Sequence, residues 1–284
     1  MRHPDVPEAL PPGWQLVDVL DPEDPRLQPY RGLTDTDLRR RVEPEGGYFI
    51  AEGRLVIERT ARARLDVASV LTAPKWLPSL ALSLADYAGP VLVASRDVID
   101  AIAGFRVHRG ALAVVRRPPA RPVAGIVDSA AHLLVLEDLV DATNVGLAFR
   151  SAAALGIGGI LLSPRCADPL YRRAVKTSMG AVLDLPWARS DDWDADLSRM
   201  AQQGISLLAL TPDPEAETLD AALAARRSAR VALAVGTEGE GLSAEVLRLS
   251  ERRARIPMSG GIDSLNVAAA VAVACYALSQ APRR

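Results

Sequence analysis

The chain has 284 residues, 49% of them hydrophobic and 24% charged, an ordinary globular composition that excludes wholesale disorder and is long enough for about two compact domains at roughly 150 residues each. A formal net charge of −2 excludes nucleic-acid binding through bulk positive charge, so any such binding must come from local patches. No apolar run reaches the roughly 18–20 residues of a membrane span, the opening Met1-Arg2-His3-Pro4-Asp5 lacks the apolar core of a secretory signal, and Cys166 and Cys275 stand alone, so a reducing, cytoplasmic setting is expected.

Residues 1–42 are rich in proline and charge, with a helical pattern only around 34–41, and read as a lead-in that is partly helical or flexible. Residues 43–117 alternate. A helical pattern over 48–60 is followed by an apolar run at 66–71, a helix over 76–87, a strand at 91–94, a helix over 95–103 opened by Ser95, and a strand at 111–115. Such alternation predicts a small α/β domain. The run Arg116-Arg117-Pro118-Pro119-Ala120-Arg121-Pro122 then interrupts it, and residues 118–130 read as a linker, because proline removes backbone donors and favours extended chain.

Residues 131–284 alternate again, with apolar runs at 132–137, 159–163, 205–210 and 231–235, helical patterns over 145–155 and 170–178, and a nearly all-apolar helix over 265–278. Continuous apolar strands predict a parallel sheet with helices on both faces. Lys75 and Lys176 are the only lysines; every other cation is arginine, whose planar fork suits phosphate.

Three segments of this second half depart from what packing alone requires. The first is Asp141-Ala142-Thr143-Asn144-Val145-Gly146-Leu147-Ala148-Phe149-Arg150, which opens a helix after a strand. Thr143 or Asn144 is suited to cap that helix, and Asn144 and Arg150, nearly two turns apart, share roughly one side of it. The second, Gly236-Thr237-Glu238-Gly239-Glu240-Gly241-Leu242-Ser243, follows a strand with glycines that let backbone approach a ligand closely; its acids argue against a triphosphate cradle, and Ser243 is placed to cap a following helix. The third runs from Ile256-Pro257-Met258 through Ser264-Leu265-Asn266 into the final helix, where Asp263, Ser264 and Asn266 are all suited to the cap or first turn.

Together the three segments resemble the motifs of the SpoU-type, or TrmH-like, RNA ribose methyltransferases of the SPOUT superfamily. Asn144 and Arg150 match the N-x-G-x-x-x-R arrangement, Gly236 to Leu242 the G-x-E-x-x-G-L loop, and Ile256-Pro257-Met258 with Ser264-Leu265-Asn266-Val267 the third motif. The resemblance covers about Leu133 to the end, and residues 47–115 resemble the smaller RNA-binding domain that often precedes the catalytic one, including Glu52-Gly53 and His108-Arg109-Gly110. It implies an α/β fold: a C-terminal SPOUT-type parallel sheet with a trefoil knot near the C-terminus, preceded by a small α/β RNA-binding domain. It further implies a homodimer joined through the catalytic domain, S-adenosylmethionine as cofactor, no metal, and methyl transfer to a ribose 2′-hydroxyl of structured tRNA or rRNA.

By the same resemblance, Leu210, Gly236, Glu238, Gly241, Ile256, Met258 and Leu265 are expected to hold the cofactor. Asn144, Arg150, Glu238, Ser264 and Asn266 are expected to serve the chemistry, with Glu238 orienting Arg150 and the others holding loop and ribose. A guanidinium keeps its proton up to pH values above about 12, so Arg150 is better suited to hydrogen-bonding a developing alkoxide or a neighbouring phosphate than to acting as a base. Arg54, Arg59, Arg109, Arg116, Arg117 and Arg172 are expected to meet RNA phosphates. Two other readings remain: a non-catalytic RNA-binding protein on the same fold, and an ATP pyrophosphatase using Ser259-Gly260-Gly261-Ile262-Asp263-Ser264. That loop should follow the first strand of its domain, whereas here only one helix follows.

Overall fold

The computed structural model describes residues 10–107, 110–237, 239–260 and 264–282. The chain divides into two compact units. One is formed by the chain up to Pro118 together with Leu170–Asp184; the other is formed by Pro119–Pro169 and the chain from Leu185 onward.

The first unit is built on a five-stranded sheet of β1 (Trp14–Val19), β2 (Tyr48–Glu52), β3 (Val67–Thr72), β4 (Gly89–Ala94) and β5 (Ala111–Arg116). Their order is β1-β4-β3-β5-β2, with β1, β4 and β3 parallel and β5 antiparallel to both β3 and β2. The stretch expected as a lead-in therefore contributes β1, which pairs with β4 from Trp14 opposite Gly89 to Val19 opposite Ala94. The helical pattern over 48–60 divides in two. Phe49, Ile50 and Ala51 are fully buried in β2, and Gly53 at φ +91° turns the chain into the helix Arg54–Arg62. Pairing with β5, distant in sequence, overrides the local helical periodicity there. The helix Ser95 opens runs Arg96–Ala103, and the Ser95 side chain accepts from Val98 N–H.

The second unit holds a seven-stranded sheet of β6 (His132–Leu136), β7 (Gly159–Leu162), β8 (Trp187–Arg189), β9 (Ser206–Leu210), β10 (Glu217–Thr218), β11 (Val231–Val235) and β12 (Arg252–Arg255). Every pairing is parallel, in the order β10-β12-β9-β11-β6-β7-β8. The chain runs outward from β6 through β7 to β8, and β11, β9 and β12 lie on the other side. In open parallel sheets, ligands bind at the carboxyl ends of strands near such a reversal. β7 and β11 are buried along their whole length, as expected of strands covered on both faces. One face packs Val135, Leu161, Ala209 and Ala234 against Ile126, Leu197 and Met200. Ile126 belongs to a helix, Val123–Ser129, that occupies the later part of the stretch expected as linker; its buried Ile126 and Val127 explain why it folds onto the core. Among the described residues no helix is long and apolar enough to cross a membrane.

Candidate active site

At the carboxyl ends of three adjacent strands, β12, β9 and β11, the second unit opens a cavity of about 550 Å³, within the range of about 300–1,000 Å³ found for small-molecule sites. Leu210 ends β9, Val235 ends β11 and Ile256 follows β12, and all three line the cavity. The loop after β11 contributes Gly236, Thr237, Gly239 and Gly241; the chain entering the last helix contributes Met258, Ser264, Leu265 and Asn266. Every described residue expected to hold a cofactor is thus on its wall. Glu238 lies outside the described residues, as do Gly261, Ile262 and Asp263 of the alternative pyrophosphate loop. Thr211, Pro212, Ala254 and Ala270 also line the cavity without having been singled out from sequence. Their common signal is position, each within a few residues of a strand end or helix start.

The loop's shape explains its glycines. Gly241 N–H donates to the Thr237 carbonyl at 3.0 Å, and a Cβ on Gly236 would stand 2.1 Å from the Gly241 oxygen and 2.5 Å from Leu242 N. No side chain fits between those backbones, so only glycine lets the loop close. Gly241 itself has φ +72°. Leu242 drops back into the core, and Ser243 caps the helix Ala244–Leu249 by accepting from Val246 N–H. Met258 and Leu265 keep 37% and 39% of their surface exposed, so apolar area stands ready to cover a ligand.

The first motif is opened by a different cap from either expected. Asp141 accepts from Thr143 N–H at 2.7 Å and caps the helix Ala142–Ala154. The final helix, Val267–Gln280, is capped by Asn266, whose Oδ1 accepts from Ala268 N–H at 3.0 Å. Asn266 Nδ2 also donates to Asn144 Oδ1 at 3.1 Å, which ties the first and third motifs together. Arg150 is exposed on the same helix nearly two turns from Asn144, and it does not line the cavity. Upstream, Asp138 turns the chain out of β6 at φ +54° and is held by Ser163 and Arg165. Partial burial pushes its carboxyl pKa up, but the hydrogen bonds from Arg165 and Ser163 outweigh this and hold it below the ordinary value.

Sequence comparison decides the lineage of this arrangement: the pattern of the SpoU rRNA Methylase family matches residues 131–276. The chain belongs to that family. It is 44% identical over 275 residues to an uncharacterized tRNA/rRNA methyltransferase of Mycobacterium bovis, covering 97% of this chain and 93% of that one. Among solved structures it resembles an RNA 2′-O ribose methyltransferase, with 28% identity and a TM-score of 0.74 over 92% of this chain and 98% of the other. Its fold is also that of the AdoMet-bound rRNA methyltransferase of Sinorhizobium meliloti, with a TM-score of 0.78 at 24% identity over 93% and 97% of the two chains.

The described motif residues fall in the second unit, whereas the described arginines expected at RNA lie in the first. Arg54 donates to Glu58 at 3.2 Å, Arg59 to Asp184 at 3.2 Å, and Arg117 to the Tyr48 carbonyl at 2.9 Å. Arg116 faces Asp66 at 3.1 Å, with both side chains about two-thirds exposed (65% and 67%). Arg172 is different. Its side chain is only 13% exposed, it donates to Glu52 at 2.5 Å and to the Leu33 carbonyl at 3.1 Å, and it stacks 4.6 Å from the Phe105 ring. Arg109 lies outside the described residues. Among the described residues, no group of three or more His, Cys, Asp or Glu is placed to hold a metal ion.

Proposed function

We propose that this chain uses S-adenosylmethionine to methylate a ribose 2′-hydroxyl in structured tRNA or rRNA. One observation carries the reading: the cavity at the ends of β9, β11 and β12 is walled by the described cofactor-motif residues and bordered by the Asn144–Asn266 bond. The residues fit the cofactor. Backbone of the Gly236–Gly241 loop can bond polar edges, while Ile256, Met258 and Leu265 offer an apolar wall for a base. Likeness to a solved RNA 2′-O ribose methyltransferase supports the ribose target.

When bound, the cofactor supplies a methyl group on an electrophilic sulfonium. The protein's part is then positioning. Asn144, Asn266 and Ser264 hold the ribose at the cavity's edge. Arg150 hydrogen-bonds the ribose oxygen or its neighbouring phosphate as the hydroxyl proton passes to solvent water at the cavity's edge, and Glu238 orients that guanidinium. Arginines of the first unit, the exposed Arg116 and the partly exposed Arg54, Arg59 and Arg117, together with Arg109, bind the RNA backbone as a small RNA-binding domain. Arg172 is left out of that set because Glu52 and Phe105 already occupy its guanidinium.

A trefoil knot near the C-terminus, a cytoplasmic location and a homodimer joined through the second unit belong to the same reading. The last helix supports the dimer: Ala269, Val273 and Tyr276 fall on one exposed face at helical spacing, with Val273 41% and Tyr276 58% exposed. The test is to titrate purified protein with S-adenosylmethionine by calorimetry and incubate it with labelled cofactor and bulk tRNA or rRNA. The RNA is then digested to nucleosides. Saturable binding with label in 2′-O-methyl nucleosides is expected. Binding without transfer would return the non-catalytic reading, and ATP cleavage without cofactor binding would favour the pyrophosphatase.

A further inference from the structure

Glu137 is a buried carboxylate, 4% exposed, at the end of a strand whose preceding four residues are all buried and apolar. An apolar residue is the default there, and a carboxylate buried in such a place must be held by hydrogen bonds. Three donors hold this one. Ser243 N–H donates to Oε2 at 2.7 Å, Ser243 Oγ donates to Oε1 at 2.7 Å, and the Trp193 indole N–H donates to Oε1 at 2.8 Å. The backbone adds a fourth contact, since Glu137 N–H donates to the Val235 carbonyl at 2.9 Å.

Val235 immediately precedes the glycine loop, and Ser243 immediately follows Leu242 at its far end. One residue therefore grips both feet of the loop. Between those feet the closure is tight, as the contact of Gly236 with Gly241 and Leu242 requires. Separating the feet would move Gly236, Thr237, Gly239 and Gly241 together, all of which line the cavity. Ser243 also starts a helix, so its position is shared between that cap and the carboxylate.

We propose that Glu137 is a positioning residue of the cofactor site, a clamp that holds the Gly236–Leu242 loop in its binding shape through Ser243. The inference rests on the reading of the cavity as a cofactor site. It assigns Glu137 no contact with cofactor or RNA. Glutamine in its place keeps length and shape but offers one acceptor oxygen and an NH₂ group, so a donor meets the N–H or O–H of Ser243 or Trp193.

The test compares Glu137→Gln with a core control, Leu197→Ala, on four readouts: melting temperature, S-adenosylmethionine affinity, amide hydrogen exchange of the ligand-free loop, and steady-state kinetics. Glu137→Gln should weaken cofactor binding about tenfold or more, equivalent to the loss of one charge-assisted hydrogen bond. It should also speed exchange selectively at the loop amides, and raise KM for the cofactor more than it lowers kcat. Leu197→Ala should lower the melting temperature without those local effects. Adding Ser243→Ala to Glu137→Gln should change the affinity little further, because the clamp is already open. Should Glu137→Gln not fold, Trp193→Phe removes one donor alone and should give a smaller shift in the same direction. Unchanged loop exchange and affinity in these variants would overturn the clamp, as would an equal affinity loss in Leu197→Ala at matched stability. Wild-type protein that fails to bind cofactor would instead overturn the reading of the cavity, whatever the exchange data show.

Discussion

Asn266 Nδ2 donates to Asn144 Oδ1 at 3.1 Å, a bond between side chains 122 positions apart in the chain. It joins a first-turn residue of one helix to the cap of another, so the two motifs cannot move independently without breaking it. Asn266 does two jobs, and they can be separated. Asn266→Ala should lose the cap, at about 1 kcal/mol, together with the bridge. Asn266→Asp keeps an oxygen for Ala268 N–H and loses the donor toward Asn144. The aspartate variant should therefore melt close to wild type yet transfer methyl groups poorly, which thermal denaturation and a labelled-methyl assay would read separately.

Gly236→Ala should reach the cofactor site most directly. Its Cβ would collide with backbone, which cannot rotate away as a side chain can. We expect the loop to open and cofactor affinity to fall by roughly tenfold or more, about 1.4 kcal/mol, with the global fold kept. Calorimetry alongside circular dichroism distinguishes this from unfolding.

Arg150→Ala should lower transfer by about a hundredfold or more while leaving cofactor affinity within about twofold, since the role proposed for it stabilises developing charge rather than the ligand. Equal loss in both quantities would show that Arg150 belongs to cofactor binding instead.

Arg116 and Arg172 should respond differently. Arg116→Gln should weaken RNA binding and reduce the slope of log affinity against log salt by about 0.7–0.9, the share of one phosphate contact. Arg172→Gln should instead lower the melting temperature, because it leaves Glu52, 8% exposed, with Lys176 as its remaining cation.

Both thiols should be inert in the native protein. Burial pushes the Cys275 thiol up to about 12 and also raises that of Cys166, so neither presents a thiolate near neutral pH. Ellman's reagent should react slowly with the folded chain and rapidly with two thiols after denaturation.

The cavity wall of the second unit was legible because it interrupts packing. Glycines after β11, and Asn266 at the head of an otherwise apolar helix, are poor choices for a core and so stand out. The parallel sheet was legible through its continuous apolar strands. β1 and β2 were not, because each is shaped by a partner far along the chain: β1 by β4, and β2 by β5. Local periodicity in 48–60 mimics a helix until Gly53 is seen to break it. Glu137 was hidden for a related reason. An acid at the end of an apolar run looks like a strand emerging into water, and only its three donors reveal that it stays inside.

The membership of Leu170–Asp184 in the first unit has a practical consequence for anyone dissecting this chain. Cutting at the prolines near 118 would strand that segment on the wrong fragment. The upstream piece would lose the helix Arg172–Thr177 that packs on β2 and supplies both cations of Glu52. The downstream piece would carry Ala174, Val175, Ala181 and Val182 with their apolar sides bare. Neither half should be soluble by itself, but the two co-expressed should reassemble, as complementing fragments of an interleaved fold do.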